Sequence, residues 1–386
     1  MEREQPGQNG GLRACPRPRM PEADLPDDVL SRIGDEAERV ENLIGAGRRR
    51  HILIVGGSGY IGGPLTTELL RNGYDVRNLD LQIYDHHAAM TGYLQHPGYD
   101  YRYGDIGNAG GLDAALDGIT DVIILAGLVG DPITKKYPDE AHAINDLGIR
   151  NFIDGLNDRG LNKVVFVSTC SNYGIIDEDS VADEDFELKP LSLYAKSKVA
   201  AEQYITSLKG QIDYHPTVLR FATAFGLAPR MRFDLTVNEF TRELYLDKEL
   251  LVYDADTWRP YCHVRDFSRL IDRVLQFPAS DVSFEVFNAG GDANNHTKQS
   301  IVDLICKRLP DRKVSYKAHS DDPRNYRVSF EKVREKLLFE PAFSVADGID
   351  ETIWALGSHL FEDVDARPNF YGNYELTYTA LLGVGN

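Results

Sequence analysis

The sequence predicts an α/β protein built on a doubly wound parallel sheet, and three observations carry that prediction. Continuous apolar runs recur along the first half of the chain: HILIV at 51–55, DVIILAG at 121–127 and KVVFVST at 163–169. Runs of this kind mark strands covered on both faces. Stretches of helical length separate them, among them EAHAINDLGIRNFIDGLNDRG at 140–160. Parallel neighbours need such crossovers, so the alternation implies βαβ units. The third observation is a glycine-rich turn, GGSGYIGG at 56–63, directly after the first apolar run.

Composition bounds the function. The 386 residues carry 42 basic against 60 acidic side chains, a formal net charge of −18. That length suits one large or two modest domains with a real core. At 42% hydrophobic and 26% charged, the chain has the make-up of a soluble globular protein. The acidic balance argues against nucleic acid or an anionic membrane as partner, since both need a basic patch. An anionic substrate must therefore meet a local cluster of arginines. Cys15, Cys170, Cys262 and Cys306 are scattered, with no CxxC pair and no zinc-ligand spacing. No metal site is expected, and a reducing cytoplasmic compartment is. The longest apolar or glycine run, Val122 to Gly130, falls well short of the ~20 residues that span a bilayer. The N-terminus lacks the apolar stretch of a signal peptide.

In order along the chain, residues 1–24 are rich in Pro, Gly and Arg without apolar periodicity, and disorder is expected there. A helix follows, with Asp27 as its cap and Val29, Ile33, Ala37, Val40 and Ile44 at helical spacing. It either docks on the host domain or serves as an arm for dimerisation or a partner. Residues 1–48 thus form an N-terminal extension. The parallel-sheet domain is expected over 49–225, opening with the strand at His51, the turn and helix from Gly56, and a second strand in YDVRNLD (74–80). Residues 245–290 are expected to return to it. After Gly226 the regularity fades, so 226–244 and 291–386 are assigned to a smaller mixed α/β substrate domain and C-terminal tail.

The chemistry begins at the glycines. Gly56, Gly59 and Gly62 lie between a strand and a helix, where a tight turn lets a pyrophosphate approach the backbone and the helix N-terminus. Asp80 ends the next strand, 18 residues beyond Gly62. A carboxylate there accepts hydrogen bonds from the adenosine ribose and repels a 2′-phosphate, and neither Leu81 nor Gln82 is basic. The pattern reads as a Rossmann site for NAD rather than NADP. A second signal is Tyr194 and Lys198, four residues apart and so one helical turn from each other. The ammonium, together with a nicotinamide ring, would lower the phenol from its usual pKa of about 10. A phenolate could then take a hydroxyl proton. Spacing alone decides nothing here, but Thr169 ends a buried strand 25 residues earlier, and its hydroxyl can share the substrate oxygen.

With these pieces in place the chain resembles the extended short-chain dehydrogenases/reductases, in their NAD-dependent nucleotide-sugar epimerase/dehydratase group. The matching segments are GGSGYIGG (56–63), Asp80, GDI (104–106), LAGLVG (125–130), STCSNYG (168–174), YAKSKVAAE (194–202), LRFATAFG (219–226) and RPYCHVRD (259–266). The resemblance implies that Gly56, Gly59, Tyr60, Ile61, Gly62 and Asp80 hold the pyrophosphate and ribose. It gives Asp105 and Ile106 to the adenine, and Leu125, Ala126 and Gly127 to the cofactor's flank. Lys198 would bond the nicotinamide ribose, with Tyr194 and Thr169 catalytic and Asn145 a structural or relay residue. Arg259 matches a position that grips nucleotide phosphates, and Arg230, Arg232, Arg324 and Arg327 are either further ligands or solvated arginines. His263 is read as structural, and Asp131 and His142 as residues that could face the sugar.

Departures from the group bear on the reaction. Sugar 4,6-dehydratases carry an Asp-Glu pair after the catalytic threonine; here Cys170 and Ser171 stand there. The galactose-type 4-epimerases have small non-acid residues at these positions. Yet Thr223 replaces the asparagine those enzymes turn toward the substrate phosphates, and Val129 replaces a cofactor-side lysine. Cys170 is either a packing residue or a thiol acid/base at the sugar ring. The leading expectation is a nucleotide-sugar epimerase acting at C4 through a 4-keto intermediate, with Thr169, Thr223, Arg232, Arg259 and Arg324 on the substrate. Alternatives are a dehydratase or C3/C5 epimerase using Cys170, a 4-ketoreductase, or a non-catalytic NAD sensor. A homodimer is expected from the resemblance.

Overall fold

Every residue of Lys163–Thr169 is buried, as a strand covered on both faces requires. A computed structural model describes residues 25–376, except 85, 108, 178 and 319–321. The expected disorder of 1–24, with Cys15, lies outside the described residues. Seven strands build the main sheet: β1 (His51–Val55), β2 (Asp75–Asp80), β3 (Tyr99–Tyr103), β4 (Asp121–Ile124), β5 (Lys163–Thr169), β6 (His215–Phe221) and, numbered by its place in the chain, β10 (Glu285–Ala289). Their order is β10-β6-β5-β4-β1-β2-β3, and every neighbouring pair is parallel. Along β1, Ile52 and Ile54 join one core cluster and Leu53 and Val55 another. Period-two alternation thus buries one strand in two cores, one on each face.

The order reverses direction at β1, which pairs with β2 on one side and β4 on the other. Val55 is level with both Leu79 and Ile124, so the loops after these strands open at one height. In open α/β sheets that crevice receives the ligand.

The second lobe is made of short pieces: β7 (Thr223–Phe225), β8 (Leu250–Tyr253), β9 (Trp258–His263), β11 (Asn295–Thr297) and β12 (Val314–Lys317). They form a three-stranded β11-β9-β7 sheet and a two-stranded β12-β8 sheet. Phe225, Val237, Tyr261, Ile301 and Ile349 share its core. The return to the main sheet is narrower than 245–290. The helix Val264–Gln276 and β10 make it, whereas β8 and β9 pair only within the small sheets. Likewise Thr223–Phe225 leaves the main sheet before residue 226.

The N-terminal helix α1 (Asp27–Ile44) is docked on the host domain. Val29 and Val40 are buried, and so is Glu36, which ion-pairs Lys163 Nζ at 2.9 Å and Arg39 at 2.8 Å. Asp27 is not the cap: Pro26 precedes the helix, and Asp27 lies in its first turn, where its charge favours the dipole. Burial would raise the Glu36 carboxyl, but Arg39 and Lys163 outweigh it and hold the group at about 2.

Candidate active site

The helix α2 (Gly62–Arg71) starts at the mouth of the crevice, and backbone crowding explains its glycines. Gly56 has φ +84°, and a Cβ there would lie 2.8 Å from Ala126 N. A Cβ on Gly62 would come within 2.3 Å of Gly57 O. These contacts force the turn after β1 against the segment after β4 and leave backbone, rather than side chains, facing the crevice. A cradle of this kind fits a dinucleotide pyrophosphate.

A cavity of about 1220 Å³ opens there and runs between the two lobes. Gly59, Tyr60 and Ile61 line it from the first turn, and Asp105 and Ile106 from the segment after β3. Leu125, Ala126 and Gly127 line it after β4. Tyr60 Oη donates to Gly226 O at 2.6 Å, tying the turn to the second lobe. Asn145 lies in a π-helical turn, His142–Gly148, and brackets Leu128: its Oδ1 accepts from Leu128 N at 2.8 Å and its Nδ2 donates to Leu128 O at 3.0 Å. It shapes the cofactor flank.

Asp80 accepts from Ser58 N (2.9 Å) and Gln82 N (2.7 Å), and His86 Nε2 lies 3.5 Å from its Oδ1. Burial would raise its carboxyl, yet His86 and the two N–H donors hold it below the usual carboxylate range. Asp80 therefore faces the cavity as an anion. His86, a cavity residue that is 2% exposed, was not anticipated from the sequence.

Tyr194 and Lys198 stand on the helix Leu193–Ser207, whose N-cap Ser192 accepts from Ala195 N at 3.1 Å. Lys198 Nζ donates to Val167 O at 2.8 Å and sits 6.0 Å from the Tyr194 ring centroid. Burial lowers its pKa to about 8, with Glu202 opposing. The expected depression of the Tyr194 phenol is absent in the protein alone. Burial, aided by Asp131, raises it, and Arg232 and Arg324 only partly counter this. Lys198 spends a proton on the β5 backbone instead of on the phenol.

Thr169 lines the cavity and accepts from Ser171 N at 3.1 Å through its Oγ1. Cys170 departs from the candidate set. It is 1% exposed, does not line the cavity, and its Sγ donates to Arg220 O at 3.1 Å. Burial raises its thiol, against ionisation. Ser171 is the residue that faces inward.

The substrate-side arginines are neutralised in pairs. Arg324 holds Asp322 through two bonds of 2.7 Å, reaches Asp131 at 2.8 Å and donates to Ser171 Oγ at 3.1 Å. Arg259 donates to the Arg324 carbonyl and reaches Asp322 at 3.2 Å. Arg232 pairs with Asp234 at 2.9 and 2.6 Å. Arg230 lines the cavity as well, and Thr223 lines it from β7. Arg327 does not; its guanidinium lies 5.4 Å above the Trp258 ring. His142 is also outside, bonded to Asp146 at 2.8 Å. His263 is fully buried against Glu351 (2.6 Å) and stacked on Phe343, a structural position.

Glu202, one turn beyond Lys198, was quoted in a motif but given no role. It is buried and accepts from Arg220 Nε (3.0 Å), Arg220 Nη2 (2.9 Å), Asn172 Nδ2 (2.7 Å) and Ser168 Oγ. This carboxylate locks the helix of Tyr194 to the end of the strand that carries Thr169. The i, i+4 repeat Tyr194–Lys198–Glu202 was its only local signal.

The profile of the NAD dependent epimerase/dehydratase family matches residues 52–290. A UDP-glucose 4-epimerase of Corynebacterium glutamicum is 25% identical over 330 residues, 80% of this chain and 96% of that one. A UDP-glucuronate 4-epimerase of Thermodesulfobacterium geofontis is 24% identical over 316 residues, 78% and 95% of the two chains. Among solved structures, a UDP-glucose 4-epimerase of Thermotoga maritima with UDP-glucose superposes with a TM-score of 0.71 at 23% identity, covering 80% of this chain and 99% of that one. A dTDP-glucose 4,6-dehydratase of Streptomyces venezuelae with NAD bound gives a TM-score of 0.73 at 24% identity, covering 81% and 98%. At these identities the structures establish the fold.

Proposed function

The chain belongs to the NAD dependent epimerase/dehydratase family, and from that premise we propose that it inverts C4 of a nucleotide-diphosphate sugar through a transient 4-keto sugar. It is an NAD-dependent nucleotide-sugar enzyme, and curated relatives matching about four-fifths of it are sugar-nucleotide 4-epimerases. NAD, when bound, supplies a reversible hydride acceptor, so the reaction has no net redox change. The glycine turn and Asp80 would hold it at the crevice, and Lys198 would bond its nicotinamide ribose.

The protein's own part is proton transfer and positioning. Tyr194 takes the proton of the 4-hydroxyl, and Thr169 holds the same oxygen from the end of β5. Arg259, Arg324 and Arg232 offer positive charge to a diphosphate, and Thr223 a hydroxyl, inside a chain of net charge −18. The proton returns from Tyr194 once the keto sugar has presented its other face.

One observation favours epimerisation over water loss: beside Thr169 the cavity meets the uncharged Ser171, while Cys170 is turned into the core. A dehydratase or a C3/C5 epimerase needs a further acid/base there. Incubation with UDP-, dTDP- and GDP-sugars, followed by separation of the 4-epimers, tests the reading. One substrate should reach an epimer equilibrium with no reduced cofactor accumulating. Net reduction or oxidation of added cofactor, without an epimer, contradicts it.

The proposed setting is the cytoplasm, in keeping with the free cysteines among the described residues, Cys170, Cys262 and Cys306. The proposed assembly is a homodimer through the helices that carry Asn145 and Tyr194, where Leu147 and Leu193 are exposed. Sedimentation should return twice the 43.2 kDa chain mass; a single-chain mass contradicts the dimer.

A further inference from the structure

Among the described arginines that line the cavity, Arg230 alone has no ion-pair partner. Arg232 and Arg324 each hold an aspartate through two bonds, yet among the described residues no carboxylate lies within ion-pair distance of Arg230. It is 3% exposed. Its Nη2 donates to Asn373 Oδ1 at 2.8 Å and Gly372 O at 3.1 Å, and its Nε is buried with no partner. A buried guanidinium without a counter-charge is unfavourable, so the site is incomplete as it stands. Burial, then the nearby Arg232, lower its hold on its proton to about 10, and Tyr84, Asp234 and Asp80 oppose this only in part.

Its neighbours place it at the cofactor half of the cavity. The preceding Pro229 packs on the N-terminal end of α2: a Cβ on Gly63 would sit 3.0 Å from Pro229 Cδ. The Arg230 guanidinium lies 4.6 Å from the centroid of Tyr84, on the segment after Asp80. Asn373, which holds Arg230, also donates from Nδ2 to Val129 O at 2.9 Å and from its backbone N to Asp234 Oδ2 at 3.1 Å. Arg230 therefore lies against the loop after β2 and is joined to the first turn of α2 through Pro229 and to the segment after β4 through Asn373. A dinucleotide's pyrophosphate lies among those three elements in an open sheet of this order.

We propose that Arg230 is a ligand of the cofactor pyrophosphate and that Asn373 holds it there, so that the C-terminal segment around residue 373 completes the cofactor site. This rests on the reading that the Gly56–Gly62 turn holds NAD. The cofactor's two phosphate charges supply the counter-charge that Arg230 lacks.

Calorimetric titration of the full chain with NAD, and separately with UDP, tests this on the wild type, Arg230→Met, Arg230→Lys and Asn373→Ala. Arg230→Met should weaken NAD by about tenfold or more, the worth of one hydrogen bond to a charged group, and leave UDP unchanged. Arg230→Lys should recover part of the loss. Asn373→Ala should weaken NAD in the same direction, and it decides the matter if Arg230→Met does not fold. Unchanged NAD affinity in both folded variants overturns the proposal, as does a loss confined to UDP, which would make Arg230 a substrate ligand. A wild type that binds UDP and no NAD overturns the underlying reading instead.

Discussion

Tyr194→Phe is expected to lower turnover by about 10²–10⁴-fold, the usual worth of a positioned general acid/base. Melting temperature and NAD affinity should stay at wild-type values. The phenol lines the cavity, and among the described residues its oxygen makes no hydrogen bond, so its removal unties nothing there. The backbone carbonyl of residue 194, which accepts from Ser197 Oγ at 2.8 Å, is untouched by the change. In the protein alone burial raises the phenol, so the base must be activated by what is bound next to it. Unchanged turnover in a folded, NAD-loaded variant would remove Tyr194 from the mechanism.

Glu202→Gln should cost the fold heavily. The carboxylate is 3% exposed and neutralises Arg220, which is 5% exposed. Removing one partner of a buried pair strands the other charge and typically costs about 3–5 kcal/mol. Tyr173 Oη and Glu184 O also accept from Arg220, and they soften the loss without replacing the charge. Several degrees of melting temperature should go, since each kcal/mol moves a chain larger than a small domain by roughly 2–4 °C. Turnover should fall too, because Ser168 and the helix of Tyr194 are both held by this carboxylate. A melting curve superimposable on wild type would show that the lock carries no load.

The parts of the site that local spacing encodes were legible in the sequence. A strand, three glycines, a helix and Asp80 are read within thirty residues, because each obeys a short-range rule of backbone geometry. Tyr194 and Lys198 were legible for the same reason. The facing of Cys170 and Ser171 was not. They are neighbours in one short turn, Cys170–Tyr173, and which side chain meets the cavity depends on the strand end that feeds it.

Long-range pairs were equally hidden. Glu36 and Lys163 are 127 residues apart, and each reads locally as a surface charge; together they bury an ion pair beneath α1. Glu202 and Arg220 sit in two separately quoted motifs, with nothing in either to announce the partner. Asn373 reaches Arg230 and Val129 from a tail that carries no motif at all. The return of the chain to the main sheet was placed too early for a related reason. The strands Leu250–Tyr253 and Trp258–His263 look like sheet strands locally, and only their pairing assigns them to the second lobe.

The most direct test of the central claim is to incubate the purified protein with a nucleotide-sugar panel in D₂O, without added cofactor, and read the products by NMR and mass spectrometry. The account predicts a product inverted at C4 with no deuterium on the ring, because the hydride leaves and returns without exchanging with solvent. Deuterium at C3 or C5, or a product lighter by one water, would contradict it and require a carbon acid/base that the cavity wall beside Thr169 does not provide.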